Sequence, residues 1–356
     1  MHQHGPVLGP VLGIESSCDE TAAAILTQDG KILAESVLSQ QQAHAPYGGV
    51  VPEIAARAHL DHLPAMVTNL LHSAHLAPQD LAAIGATTGP GLIGGLIVGA
   101  SFAKGMALAL GRPFLAINHL EAHALTARLP GLVPGGAPFP YLLLLLSGGH
   151  CQCVAVEGVG RYRRLGSTID DAVGEAFDKV GKLLGLAWPG GPALERLAAL
   201  GNAAHELFPR PLKGRPGCDF SFSGLKTAVA QRVATFPPGP LPATAASDIA
   251  AGFQSAVADV LADRATNALK MMPEARLMVA AGGVAANQAA RAALSVVATK
   301  AGIPLVAPPI RLCGDNAVMV AWATIERLRL TLDHPGDPLE TAPRPRWPLA
   351  ELQPGL

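Results

Sequence analysis

Twice along this chain an apolar strand runs straight into a turn of small polar residues. Residues 7–14 (VLGPVLGI) precede Glu15-Ser16-Ser17, and residues 141–146 (YLLLLL) precede Ser147-Gly148-Gly149-His150. Each half of the chain therefore opens in the same way, a repeat of architecture and not of letters. The 356 residues suffice for about two domains. We expect a first α/β domain over 7–129, a linker over 130–140 (PGLVPGGAPFP), a second α/β domain over 141–328 and a proline-rich, largely unstructured tail over 331–356.

In the first half, 22–26 and 31–38 read as strands joined through Gln28-Asp29-Gly30. A helix is expected over 51–73, with Pro52 in its first turn and Pro64 bending or splitting it. A strand at 81–88, a small-residue helix at 94–110 ended by Gly111 and Pro113, and a strand at 114–117 follow. Asn118 can cap a helix starting near His119. In the second half, strands are expected at 151–156, 160–165 and 277–281, and helical regions at 170–186 and 247–272.

Composition excludes two classes. With 49% hydrophobic residues and a net charge of −1 (26 Lys+Arg, 27 Asp+Glu), the chain is neither disordered nor a nucleic-acid binder through global basicity. Five cysteines, an odd number, fit a reducing compartment. The start lacks the pattern of a signal or transit peptide, and apolar stretches reach only about ten residues, short of a span. The expectation is a cytoplasmic protein without a membrane segment.

Five constellations can carry chemistry. His119 and His123 stand at i and i+4 on one helical face, a spacing that suits metal ligation as well as two ordinary surface histidines. Glu121 follows the first His by two positions, on the other face, which denies the protease geometry. Ser147-Gly148-Gly149-His150 can present backbone N–H groups to an anion, or can simply turn a hairpin. Gly282-Gly283-Val284-Ala285-Ala286-Asn287, where a strand enters a helix, is a place for a nucleotide or a tight packing turn. Gly89-Pro90-Gly91-Leu92-Ile93-Gly94 matches a dinucleotide fingerprint formally but lacks the acid about 20 residues on. Asp315, in Cys313-Gly314-Asp315-Asn316, can cap a helix or complete a His–His–Asp metal site. Arg161, Arg163, Arg164, Lys179, Lys182, Lys213, Arg215 and Lys226 form a basic set that can hold phosphates.

Several motifs in collinear order resemble the TsaD family of tRNA adenosine threonylcarbamoyltransferases. They are IESSCDET at 14–21, NHLEAH at 118–123, SGGH at 147–150, GEAFDK at 174–179, PGGP at 189–192, FSFSGLKT at 220–227, GGVAAN at 282–287 and GDN at 314–316. The resemblance covers roughly 11–328 and departs at Cys151, where the family usually has Thr. It implies an actin-like, Hsp70-like ATPase (ASKHA) fold with an interdomain ligand cleft. It also implies transfer of L-threonylcarbamoyl from threonylcarbamoyl-AMP to N6 of adenosine 37 in tRNAs reading codons that begin with A. One divalent ion is implied on His119, His123 and Asp315, iron by family habit or else zinc, since two imidazoles and a carboxylate suit both. Leu145, Leu146, Ser147, Gly148, Gly149, His150, Asp178, Gly191 and Asn287 are the implied nucleotide-binding residues, and Asp19, Glu20 and Lys226 the catalytic candidates. The implied partners are tRNA, a TsaB-like paralogue and a TsaE-like ATPase. A non-catalytic scaffold of the same fold and a metalloprotease are the alternatives; the intact triad speaks against the first and Glu121 against the second.

Overall fold

The computed structural model describes residues 9–134, 136–330 and 336–352. The chain forms two compact units: one from residues up to Ala137, Gly158–Tyr162 and Asp315 onward, the other from Pro138–Glu157 and Arg163–Gly314.

The first unit contains β1 (Val11–Glu15), β2 (Glu20–Leu26), β3 (Ile32–Ser39), α1 (Gln41–His44), α2 (Pro52–Ser73), β4 (Ala83–Gly89), α3 (Ile93–Leu110), β5 (Phe114–Asn118) and α4 (His119–Leu125). Its sheet has the order β3-β2-β1-β4-β5, with β1–β2 and β2–β3 antiparallel and β1–β4 and β4–β5 parallel. Alternation along β1 sends Leu12 and Ile14 into a core with Leu63, Val67 and Leu71 of α2 and Ala103 and Ala107 of α3. Gly13 and Glu15 face the opposite side.

The second unit contains β6 (Tyr141–Leu146), β7 (Cys151–Gly158), β8 (Arg161–Ser167), α5 (Val173–Leu183), α6 (Gly190–Ala198), α7 (Ser223–Val233), α8 (Ala243–Lys270), β9 (Met278–Ala281), α9 (Gln288–Lys300) and β10 (Leu305–Val306). The tip of the β7–β8 hairpin belongs to the first unit. The sheet order is β10-β9-β6-β7-β8, with β6 antiparallel to β7 and parallel to β9. The first strand of each unit is thus central, flanked by its hairpin on one side and two later strands on the other. The repeat expected from the sequence is a repeat of topology.

The last helix, α10 (Ala317–Leu328), is buried from Ala317 to Arg327 and returns to the first unit. It packs on the side of the first sheet that Gly13 faces, because that side is kept bare there. A Cβ on Gly13 would overlap the Ala321 backbone, and one on Gly85 the Thr324 hydroxyl. The second unit therefore ends at Gly314, not at 328 as expected. A helix apolar nearly all round needs cover on every face, and sequence position does not say which sheet supplies it.

Of the two outcomes expected for Pro64, splitting does not occur: α2 runs unbroken from Pro52 to Ser73, held by Leu63, Met66, Val67, Leu70 and Leu71 on its buried face. Two further expectations differ from the structure. The apolar stretches exceed ten residues, since α3 is by length and composition able to cross a membrane. Here one face of it, Leu96, Ala100, Ala103 and Ala107, is buried. The described part of the tail, 336–352, follows a defined path along the first unit. Asp337 N donates to Phe114 O at 2.7 Å, Ala116 N to Asp337 Oδ2 at 2.7 Å, Arg344 N to Thr88 O at 2.7 Å and Gly91 N to Pro345 O at 3.2 Å. Its order comes from the unpaired backbone of edge strand β5 and of the end of β4 with the turn after it, which apolar periodicity does not register. Residues 331–335 and 353–356, and residues 7–8 of the expected first strand, lie outside the described residues.

Candidate functional site

Strand β5 passes into α4 without a loop. Asn118 ends the strand and caps the helix, its Oδ1 accepting from Leu120 N at 2.9 Å and Glu121 N at 3.3 Å. Its Nδ2 donates to Trp347 O of the tail at 2.9 Å, which fixes the amide's orientation. This junction sets His119 in the first turn of the helix and His123 one turn on.

Ahead of α10 it is Asn316, not Asp315, that caps, its side chain accepting from Met319 N at 3.0 Å. The Asp315 carboxylate turns to the histidines: Oδ1 lies 3.4 Å from His119 Nε2 and 3.1 Å from His123 Nε2. One donor atom from each of the three lies within 4.8 Å of the others. Ligands about 2 Å from a shared ion stand roughly 3.0–3.4 Å apart in tetrahedral or octahedral geometry, so the set fits a divalent metal. Both imidazoles are buried, and Asp315 is partly open. The donor set therefore has two nitrogens, one oxygen and room for a further ligand.

Negative charge collects at this cluster. Burial opposes a charged His119, but Asp315, Glu15 and Glu20 outweigh it and lift the imidazole to about 9. Burial, reinforced by Asp315 and Asp19, pushes the Glu20 carboxyl up to about 9. Burial alone would raise Glu15 too, but the neighbouring His119 holds it below its ordinary value. A cation relieves such crowding of carboxylates.

Glu15, Ser17 and Thr87 are contacts of this cluster that our reading of the sequence did not select. Glu15 sits inside the motif at 14–21, but nothing in its spacing marks it, and Thr87 carries no local signal at all. Glu121 points elsewhere. It is fully buried and accepts from Gly160 N at 3.2 Å, the Tyr162 hydroxyl at 2.9 Å and Arg327 Nε at 2.6 Å. A carboxylate saturated by three donors is no general base for a metal-bound water, which disposes of the protease reading.

In the second unit the two glycine-rich loops stand side by side. Strands β6 and β9 are parallel neighbours, and the loops leave their carboxyl ends together, the usual ligand-binding edge of an α/β sheet. Gly282 has φ +90°, and a Cβ there would stand 2.5 Å from Leu146 O, so only glycine permits the approach. Ser147 N donates to His150 O at 2.7 Å, closing the SGGH turn, while Gly148 and Gly149 have open space where a Cβ would stand. Leu145 and Leu146 have fully buried side chains and can offer a ligand only backbone.

Asp178 accepts from Gly190 N at 2.7 Å, beside Gly191, which is sterically open. Asn287 is committed at both ends: Oδ1 accepts from Ala290 N at 3.0 Å and Nδ2 donates to Gln254 Oε1 at 2.9 Å. Lys226 shares Asp171 with Lys179, each at 2.9 Å. Lys226 therefore belongs to an ion-pair network of the second unit, while Asp19 and Glu20 belong to the first. Half of the basic set stands in ion pairs: Arg163 pairs with Glu157 and Glu274, Lys213 with Asp259, and Lys179 and Lys226 with Asp171. The dinucleotide-like run at 89–94 is a packing turn, with Leu92 N donating to Ser17 O at 2.8 Å.

A family model described as TsaD, tRNA N6-adenosine threonylcarbamoyltransferase, matches residues 31–322. The chain is 68% identical over 353 residues to the tRNA N6-adenosine threonylcarbamoyltransferase of Granulibacter bethesdensis, covering 96% of this chain and 94% of that protein. It is 58% identical to that of Rhodospirillum rubrum over 95% of this chain and 94% of that protein. Among solved structures, HypF of T. kodakarensis aligns with a TM-score of 0.61 at 16% identity, over 91% of this chain and 48% of that one. Component A of the (R)-2-hydroxyglutaryl-CoA dehydratase of Acidaminococcus fermentans aligns with a TM-score of 0.51 at 18% identity, over 90% and 99%. The structural likenesses show the fold alone, the expected two-domain ASKHA architecture.

Proposed function

The chain belongs to the TsaD family of tRNA N6-adenosine threonylcarbamoyltransferases, and from that premise we propose that its His119–His123–Asp315 cluster holds the divalent ion that serves the transfer. The enzyme is an acyltransferase acting on tRNA, moving L-threonylcarbamoyl from threonylcarbamoyl-AMP to N6 of adenosine 37 in tRNAs reading codons that begin with A. The products are t6A and AMP. The convergence of two imidazole nitrogens and a carboxylate oxygen on one point carries the metal reading. Iron is the ion we favour, since two histidines and one carboxylate with open positions suit ferrous iron, with zinc the alternative.

An exocyclic adenine amine is a weak nucleophile, so the acyl donor needs activation and a good leaving group. Bound here, a divalent ion supplies Lewis acidity and an anchor for the donor's carbonyl or threonyl carboxylate. The chain's own residues do the rest. His119 and His123, set by the Asn118 cap, fix where the donor is anchored. The backbone of Gly148 and Gly149 receives phosphate and developing negative charge. The Asp178 and Gly191 region and the turn at Asn287 accommodate the adenosine part, the last through backbone because its amide is engaged. Asp19 and Glu20 stand in the electrostatic neighbourhood of Asp315, which supports their reading as the catalytic candidates.

The test is mass spectrometry of tRNA nucleosides after depletion of the protein from its host and re-expression. t6A should fall with the protein and return with it. Unchanged t6A after verified depletion excludes the activity.

A chain of net charge −1 attracts tRNA weakly, so productive binding calls on a TsaB-like partner, with a TsaE-like ATPase as third component in the cytoplasm. An apolar face supports a protein partner. α2 and α3 pack closely at Gly94 and Ala56, and their outward sides expose Leu60 (63%), Ile93 (47%) and Ile97 (48%). Ile93→Asp combined with Ile97→Asp should weaken binding of the TsaB-like paralogue at least tenfold by calorimetry, with the melting temperature nearly unchanged. Undiminished affinity places the interface elsewhere.

A further inference from the structure

We infer that Glu15 is the positioning residue of the metal centre, holding the His119 ring so that Nε2 is the atom offered to the ion. Resting on the metal reading above, this assigns a role to a residue that does not itself ligate.

Glu15 is the last residue of β1 and fully buried. Strand alternation turns its side chain to the same side as that of Thr87 on the adjacent strand β4. The carboxylate is clamped from two directions before it meets the ring: Ser17 N donates to Oε1 at 2.6 Å and the Thr87 hydroxyl to Oε2 at 2.6 Å. The remaining acceptor site on Oε2 faces His119 Nδ1 at 3.0 Å. The Ser17 hydroxyl also lies 3.2 Å from that nitrogen. A carboxylate whose other oxygen is occupied has only acceptance to offer, so Nδ1 is the donor. Nε2 is then the nitrogen left to offer a lone pair once an ion displaces its proton, on the side of Asp315 Oδ1, 3.4 Å away.

His123 provides the internal contrast. Its Nε2 faces Asp315 at 3.1 Å, but its buried Nδ1 has no hydrogen-bond partner among the described residues. One ligand is oriented by a fixed anion and the other by packing alone. Ligating imidazoles whose second nitrogen donates to a carboxylate are more basic and better oriented, and loss of such a partner costs about 10- to 100-fold in metal affinity. Glu15 is not a fourth ligand, because both its oxygens are engaged and it meets the ring edge opposite Nε2.

Glutamine is the informative replacement, being nearly isosteric. Ser17 N–H addresses one oxygen and His119 Nδ1–H the other. Either orientation of a Gln amide therefore sets its NH2 group against a donor. Thr87 can turn its hydroxyl to accept, but the backbone N–H and the ring N–H cannot both be served.

The experiment uses full-length protein freed of metal, with Co2+ as the probe titrated against a competing chelator. Glu15→Gln should weaken Co2+ binding about 10- to 100-fold. In the cobalt-loaded wild type, the hyperfine-shifted imidazole N–H proton of His119 should exchange slowly, and in Glu15→Gln it should shift and exchange fast. Thr87→Val, which loosens the clamp but leaves the carboxylate, should give a smaller loss of affinity. Should Glu15→Gln fail to fold by thermal melting, Thr87→Val decides by the same two readouts. Wild-type affinity and an unchanged N–H signal in the folded variant, while His119→Ala loses Co2+, overturn the role of Glu15 and leave the metal reading standing. Full Co2+ binding by His119→Ala with His123→Ala removes the metal reading and this inference with it.

Discussion

His119→Ala combined with His123→Ala lowers threonylcarbamoyl transfer by at least about 10³-fold, the scale expected when a Lewis acid and its anchor are lost together. Elemental analysis should find about one ion per chain in the wild type and less than a tenth of that in the double variant. Full occupancy in the double variant would mean that the ligands are elsewhere. The two single variants should differ in stability. His119→Ala leaves the buried Glu15 carboxylate short of a donor, at a cost of about 1–3 kcal/mol. His123→Ala removes a ring whose Nδ1 has no hydrogen-bond partner among the described residues, and should cost less. Urea unfolding of the metal-free proteins measures the difference.

Gly148→Val should reduce affinity for AMP or an acyl-adenylate about 10²-fold and leave the fold intact. A Cβ at Gly148 meets nothing within 4 Å, so the protein accommodates the side chain. The branched group instead occupies the space in which backbone N–H must approach phosphate. Gly174→Ala is the contrasting variant: a Cβ there stands 2.8 Å from the Gly148 backbone and distorts the same turn from behind. It should lose stability as well as affinity. Isothermal titration with both ligands separates the cases, and wild-type affinity in Gly148→Val would remove the SGGH turn from the nucleotide site.

The parts legible in the sequence are those governed by neighbours along the chain. The Asn118 cap, the His pair one turn apart and the glycine turn at each strand end all follow from local rules, and all stand where expected. Asp315 is different. It lies 192 residues from His123, and residue chemistry alone left it open between a helix cap and a third ligand, a choice the resemblance to a family made. The same limit hid Glu15 and Thr87, whose importance comes from strand pairing across 72 residues. It also hid the return of α10, which depends on two glycines leaving space on a particular sheet. Proline and weak periodicity suggested a loose tail, yet backbone bonding to an edge strand needs neither helix nor apolar stripe. The ion pairs of Arg163, Lys179, Lys213 and Lys226 were hidden for a related reason, because lysine and arginine do not announce the carboxylates that fold beside them.

The return of α10 bears on how the protein is made. The first unit closes only with the segment from Asp315 onward, so a ribosome must deliver the entire second unit before the first sheet receives its last cover. At about 5–20 residues per second, the roughly 200 residues separating β5 from the end of α10 take on the order of 10–40 s to synthesise. During that interval a nearly finished sheet presents the bare, glycine-lined face around Gly13 and Gly85 to solvent. The His pair emerges early and Asp315 late, so on the metal reading proposed above an ion cannot meet all three ligands until residue 315 has left the exit tunnel. On that reading loading follows synthesis of the second unit, and a product of translation stalled within that unit is left with two histidines and no centre.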